Sequence, residues 1–251
     1  MRTLYISIAT ILLSTLTFQI AFAQTTPVTI SNYVKKSYNG LDVSCAGKND
    51  AEITVTASGG SGVYEYSKND GATYQSSNVL TGLSAGANCI IRVRDASHKS
   101  NISNNVYVWI SAPNAVVVNT FQRDTYYNAG GDGVSCVYNS DGRIFIQANG
   151  GTGTFSYSID NGTNYQTSTS FSNLAAGSYT GMVKDANGCI AYTSPSFAPV
   201  KLTAPKPIVA VINSQTNITC SSSTGSVSVS GSGGQGNYQT SIDGGKTFNY
   251  L

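Results

Sequence analysis

The sequence predicts an all-β protein: tandem immunoglobulin-like β-sandwich repeats after a cleaved signal peptide, with the last repeat truncated. Three observations predict it. Short runs alternate apolar and polar residues, as in Ile53-Thr54-Val55-Thr56-Ala57 and Ile144-Phe145-Ile146-Gln147-Ala148, the period that puts every second side chain on one face of a strand. Gly, Asn and Asp punctuate these runs about every 8 to 12 residues, the interval expected of sandwich strands. The whole pattern then recurs. Ile53, Val55, Gly60, Gly62, Tyr64, Tyr66, Gly71 and Leu83 are matched 91 positions on by Ile144, Ile146, Gly151, Gly153, Phe155, Tyr157, Gly162 and Leu174. A further 83 positions take Ile144, Gly151, Gly153, Ile159 and Asp160 to Val227, Gly234, Gly236, Ile242 and Asp243. A period of this size means domains in tandem, each large enough to close a core.

The elements follow in order. Residues 1–23 open with Arg2 and an apolar run, then Ala21-Phe22-Ala23, a secretory signal peptide cleaved between Ala23 and Gln24. Ser14, Thr15, Thr17 and Gln19 interrupt the run, which therefore falls short of the roughly 20 apolar residues of a membrane span. No later segment is long and apolar enough, so the mature chain is expected to have no transmembrane segment. Prolines mark the repeat boundaries: the first repeat covers 24–112, the second 113–204 from Pro113, and the third 205–251 from Pro205. In each, an apolar strand and a cysteine segment precede the Ile53 or Ile144 strand, which leads to a Gly-rich turn, a Tyr-rich strand and an Asp-Asn-Gly type hairpin turn. Leu251 aligns with Ser168, so the third repeat is expected to lack its last strands.

One motif suggests a different chemistry. Gly231, Gly233 and Gly236 have the G-x-G-x-x-G spacing of dinucleotide sites, which depends on a helix N-terminus to hold the phosphate. Here Asn237, Tyr238, Gln239, Thr240, Ser241 and Ile242 follow, a strand rather than a helix. Gly233 and Gly236 repeat Gly150 and Gly153, while Gly231 stands where the second repeat has Ala148. The glycines are expected to be turn residues.

Only 10% of residues are charged and the formal net charge is +2, so no basic patch suggests nucleic acid. Low charge with abundant Gly and Ser can mark disorder, but the alternating strands and 16 tyrosines supply material for cores. Cys45, Cys89, Cys136, Cys189 and Cys220 lie in a chain addressed to an oxidising compartment. Cys136 and Cys189 bracket the second repeat and are expected to pair, stabilising by about 3 to 4 kcal/mol. Cys45 repeats Cys136, but Lys99 stands at the place of Cys189; a Cys45–Cys89 bridge, with a shifted geometry, is one option for the first repeat, and the sequence leaves open whether it forms. Cys220 is expected to have no partner.

Catalysis needs a base near a nucleophile. The single histidine, His98, lies in a turn, and Ser61 of the Gly-Gly-Ser-Gly turn is replaced by Thr152 and Gln235 in the other repeats. No catalytic residue is expected. No metal or cofactor is expected either; calcium is the ion such loops could take, through Asp132, Asp141, Asp160 or Asp185, although no EF-hand or nonapeptide spacing is present. Tyr107, Trp109, Tyr126 and Tyr127 could offer aromatic faces to surface glycans or extracellular proteins. Tyr107 and Trp109 alternate with Val106, Val108 and Ile110, so one set must face a core.

The second repeat, read from Cys136 through Asn139-Ser140-Asp141-Gly142, Gly150-Gly151-Thr152-Gly153, Tyr157-Ser158-Ile159-Asp160-Asn161-Gly162 and Leu174-Ala175-Ala176-Gly177-Ser178-Tyr179 to Asp185-Ala186-Asn187-Gly188-Cys189, resembles the SprB-type repeat of surface adhesins in gliding Bacteroidetes. The first repeat departs at Lys99 and Cys89, and the third covers the front half. The resemblance implies a non-enzymatic, adhesin-like protein, secreted or on the outer cell surface, that acts in attachment or gliding. The alternative is a set of spacer or binding modules from a larger secreted enzyme.

Overall fold

The computed structural model describes residues 26–86, 88–124, 133–193 and 197–250. Within them the period-two runs form strands and no helix. The first repeat holds β1 (Thr29–Lys35), β2 (Ala51–Ser58), β3 (Tyr64–Ser67), β4 (Val79–Leu83), β5 (Asn88–Asp95) and β6 (Val106–Trp109). The second holds β7 (Val117–Arg123), β8 (Gly142–Asn149), β9 (Ser156–Ser158), β10 (Ser170–Leu174), β11 (Gly177–Tyr179), β12 (Met182–Lys184), β13 (Ile190–Tyr192) and β14 (Val200–Leu202). The third holds β15 (Val209–Thr216), β16 (Ser226–Ser232), β17 (Gln239–Thr240) and β18 (Asn249–Tyr250). Residues 1–25, with the expected cleavage site at Ala23 and Gln24, lie outside the described residues, as do Tyr126, Tyr127 and Asp132.

The second repeat shows how alternation becomes a core. Ile144 and Ile146 of β8 are fully buried, and with Val118 and Phe121 of β7 they meet Tyr157, Ile159, Val183 and Leu202 in one apolar cluster. The cluster draws on the sheets β10-β8-β7 and β13-β12-β9 and on Leu202 of the β11-β14 pair, so neither three-stranded sheet has to leave its apolar row in water. The first repeat has the same sheets in β1-β2-β4 and β3-β5-β6. Its registers also match: β2 pairs Thr54 with Val79 and Ile53 with Leu80, as β8 pairs Phe145 with Ser170 and Ile144 with Phe171. These are immunoglobulin-like β-sandwiches in tandem.

The repeats differ in one strand. The first has an unbroken β5, while the second divides the same stretch into β11 and β12 at Thr180-Gly181. There Gly181 N–H donates to Thr193 Oγ1 at 3.1 Å, and the Thr193 hydroxyl donates to Gly181 O at 3.0 Å. The side-chain hydroxyl thus satisfies the Gly181 N–H, while Gly181 O also accepts the Thr193 backbone N–H at 3.1 Å. In the third repeat β15 pairs with β16 and is exposed along its whole length.

The described chain groups into two compact units. The first comprises the chain up to Asn32, Val55–Asn78 and Ile90–Val106, and contains the β3–β5 pairing of Tyr66 with Val93 and the Gly-rich turn of the first repeat. The second comprises Tyr33–Thr54, Val79–Cys89 and Tyr107–Leu251. It contains the second and third repeats and a network in which Lys35 Nζ, Ser111 N–H and the Ser111 hydroxyl all donate to Asp42 Oδ2, at 2.7, 2.8 and 2.7 Å.

Candidate functional site

The apparent nucleotide fingerprint is a tight turn made three times. Gly59, Gly150 and Gly233 have φ of +85°, +78° and +80°, a conformation that L side chains resist. Sterics exclude a side chain as well, because a Cβ at each would overlap the carbonyl oxygen of Pro27, Ala115 or Pro207. This close approach lets the following N–H, of Gly60, Gly151 and Gly234, donate to Thr26 O, Asn114 O and Lys206 O at 2.9, 2.9 and 2.7 Å. The turn thereby binds the start of its own repeat to the β2, β8 or β16 strand.

In the first two repeats a buried aspartate closes the turn. Ser61 N–H and its hydroxyl donate to Asp95 at 2.5 and 2.8 Å, and Ser97 and His98 N–H donate to Asp95 Oδ1 at 2.7 and 3.0 Å. Burial pushes the Asp95 carboxyl up, but these four donors outweigh it and hold it at about 2. Asp185 repeats the arrangement, accepting from Thr152 N–H at 2.8 Å and from Asn187 and Cys189 N–H at 2.9 Å each. The Ser61 hydroxyl, placed like a nucleophile in the sequence, donates to the Asp95 carboxylate, which at about 2 is too weak a base to activate it.

The second turn is built the same way. The Ser158 hydroxyl donates to Asp160 Oδ1 at 2.7 Å and accepts from Gly162 N–H at 2.9 Å. Ser241 does so with Asp243 and Gly245 at 2.7 and 2.8 Å, and Ser67 with Asn69 and Gly71 at 2.9 Å each. The N–H of Asn164, aided by Ser158 and opposed by burial, brings Asp160 to about 2. The Thr247 hydroxyl and N–H hold Asp243 well below the usual carboxylate range.

The cysteines overturn the expected pairing. Cys45 is joined to Cys189 across 144 residues, with Cα atoms 5.6 Å apart. Neither Cys136–Cys189 nor Cys45–Cys89 forms: Cys136 is exposed, and Cys89 is buried on the inward row of β5 with Ile91 and Val93. The reason is that the Asp185–Cys189 turn of the second repeat sits against the cysteine loop of the first. Asn187 Nδ2 donates to Ser44 O at 3.0 Å, and Asn39 Nδ2 donates to Asn187 Oδ1 at 2.6 Å. Pairing within a repeat holds only for repeats that close on themselves, and here the bond crosses from the first repeat to the second. Lys99 was the available signal, since pairing within each repeat needs a cysteine there and pairing with the next repeat does not.

A family model for the SprB repeat matches residues 41–73 and 133–164. The chain carries SprB repeats. Both matches run from the cysteine loop to the serine–glycine turn, and the second lies about 91 positions after the first. No curated protein matches the chain. Among solved structures, it is similar to the three N-terminal domains of the highly immunogenic outer capsid protein (Hoc) of bacteriophage RB49, at 12% identity and a TM-score of 0.34, over 90% of this chain and 79% of that one. It is also similar to the C-terminal 282-residue fragment of intimin, solved in complex with the intimin-binding domain of the translocated intimin receptor, at 14% identity and a TM-score of 0.33, over 73% and 66%. Both superpose too loosely to bear on function. The SprB repeat makes this a repeat-containing protein of the cell surface or exterior, where a disulfide persists.

Outside the turns, the SprB repeats leave little polar chemistry assembled. Among the described residues no three His, Cys, Asp or Glu side chains gather as a metal site. Of the calcium candidates, Asp141 accepts from Ser135 N–H at 2.9 Å, and Asp160 and Asp185 are engaged as above. The ambiguity in β6 is resolved: Val108 and Ile110 are buried, while Tyr107 and Trp109 stand 63% and 58% exposed.

Proposed function

We propose that this chain is exported through its signal peptide and serves, without catalysis of its own, as an adhesin-like surface protein in attachment or gliding. Tandem SprB repeats supply reach and copies of a weak contact surface, and affinity for surface glycans or extracellular proteins comes from multivalency. The observation that carries this reading is a division of labour. The carboxylates and hydroxyls of the turns are engaged by their own backbone, while Tyr107 and Trp109 project from β6. Flat aromatic faces suit sugar rings and protein interfaces alike.

The test presents residues 24–251 at high density on beads and measures their retention on arrayed glycans and on coated extracellular proteins. Dense beads should be retained and the free chain should not, with retention lost in a Tyr107→Ser, Trp109→Ser double variant. Beads retained nowhere would make the repeats spacers of a larger secreted enzyme instead.

A further inference from the structure

The outward sheet faces of the first two repeats each carry a cation stacked on a tyrosine, and only one of the two is neutralised. In the first repeat Glu65 of β3 stands opposite Arg94 of β5 in the ladder. Arg94 lies over the Tyr74 ring, with Cζ 3.8 Å from the centroid, and its Nε donates to Glu65 Oε2 at 2.6 Å. In the second repeat Lys184 of β12 lies over Tyr165 in the same way, with Nζ 3.9 Å from the centroid, and Tyr165 is the residue 91 positions after Tyr74. The residue opposite Lys184, however, is Ser156. Among the described residues no carboxylate comes within ion-pair distance of Lys184. Asp160, whose charge acts on the Tyr165 phenol, is taken up by Ser158 and Asn164.

The side chains around Lys184 make a small platform. Its ladders put Lys184 in one row with Ser156 and Ile190, and Met182 in the next row with Tyr192; directly paired residues share a face. Val183, Tyr157 and Ala191 form the alternate row and pack in the core, so the other two rows face outward. Tyr192 and Ile190 are 57% and 47% exposed. The Tyr192 phenol is close enough to add to burial in pushing the Tyr165 hydroxyl up. We propose that this face binds a carboxylate-bearing sugar, a uronic acid unit of an extracellular polysaccharide, with Lys184 taking the carboxylate and Tyr192 the apolar face of the ring. An ammonium held on an aromatic face without a counter-ion suits a carboxylate, and the exposed ring beside it suits the C–H face of a pyranose. One cation, two rings and the Ser156 hydroxyl match a single sugar unit and fall well short of the roughly 20 residues a side of a stable protein interface. The proposal rests on the reading that this chain attaches to extracellular ligands, but on residues other than Tyr107 and Trp109.

The test titrates isotope-labelled residues 24–251 with trigalacturonate, with its methyl ester and with a hyaluronan tetrasaccharide, and follows amide chemical shifts. At least one of the two acids should move the amides of Ser156, Lys184 and Tyr192, and loss of the charge in the ester should weaken binding by about tenfold or more. Lys184→Gln should lose a similar factor and Lys184→Arg should keep most of the binding. Ser156→Glu, which rebuilds the ion pair of the first repeat, should abolish it, with thermal midpoints showing that each variant is folded. Equal binding of acid and ester, unchanged binding in Lys184→Gln, no shift from either acid, or shifts at this face from a polyglutamate peptide alone would each overturn the proposal. The bead assay run beside it separates the two readings. Beads retained on arrayed surfaces with no shift at this face remove the site and leave attachment standing, whereas shifts at this face with beads retained nowhere keep the site and remove attachment.

Discussion

Replacing Cys45 by Ser in residues 24–251 removes a covalent loop of 144 residues. In the loop-entropy account a closure of that size stabilises by about 5 kcal/mol, more than the 3 to 4 of a loop confined to one repeat. The side chain itself adds little, because serine fits where the sulfur was and the loop keeps the Ser44–Asp50 hydrogen bond. For a chain of this size each kcal/mol shifts the midpoint by roughly 2 to 4 °C, so Cys45→Ser should lower it by about 10 to 20 °C in the transition that frees the whole loop. The assay is thermal unfolding followed by circular dichroism, oxidised and with reductant, beside non-reducing peptide maps. Reductant should bring the wild type to the variant's midpoint and leave the variant where it was. Cys136→Ser, at an exposed position, should stay within about 0.5 kcal/mol of wild type. A peptide map joining Cys136 to Cys189, or a Cys136→Ser loss equal to that of Cys45→Ser, would refute the staggered pairing.

Other expectations come from the turns and the core. Gly150→Ala places a Cβ against Ala115 O at φ +78° and should cost about 2 to 4 kcal/mol in urea unfolding; a neutral result would mean the turn is not as described. Ile146→Ala, at a fully buried position, should cost about 2 to 5 kcal/mol, whereas Trp109→Ala should be nearly silent for stability and costly for bead retention. Asp95 and Asp160 are held at about 2 when folded, below the roughly 3.9 of an unfolded chain. Their contribution is therefore present above about pH 4 and lost as pH falls toward 2, and midpoints measured from pH 7 to pH 2 should drop mainly in that interval. Asp95→Asn should flatten part of the drop, and an unchanged profile would count against the turn as its source.

The fold was legible because each repeat states the same local rules. Ile53 and Val55 alternate with threonines, the Gly-Gly pair sits where only glycine fits, and Ser158, Asp160 and Gly162 form a turn from neighbours in the chain. Such features depend on residues a few positions apart. The Cys45–Cys189 bond depends on how one repeat meets the next, through Asn187 and Ser44, and nothing in the periodicity of a single repeat encodes it. The outward orientation of Tyr107 and Trp109 was hidden for a related reason: Val106, Tyr107, Val108, Trp109 and Ile110 offer apolar residues on both faces, so pattern alone cannot choose the inner row.

The staggered bond also decides what a pulled chain would feel. Tension applied at the two ends passes along the backbone to Cys45, crosses the sulfurs, and rejoins the backbone at Cys189. The residues between carry none of it while the bond lasts. At roughly 3.5 Å per extended residue, the 144-residue separation amounts to about 500 Å of slack held in reserve. An oxidised chain would respond to drag as a short tether, and a reduced one could lengthen as its sandwiches give way.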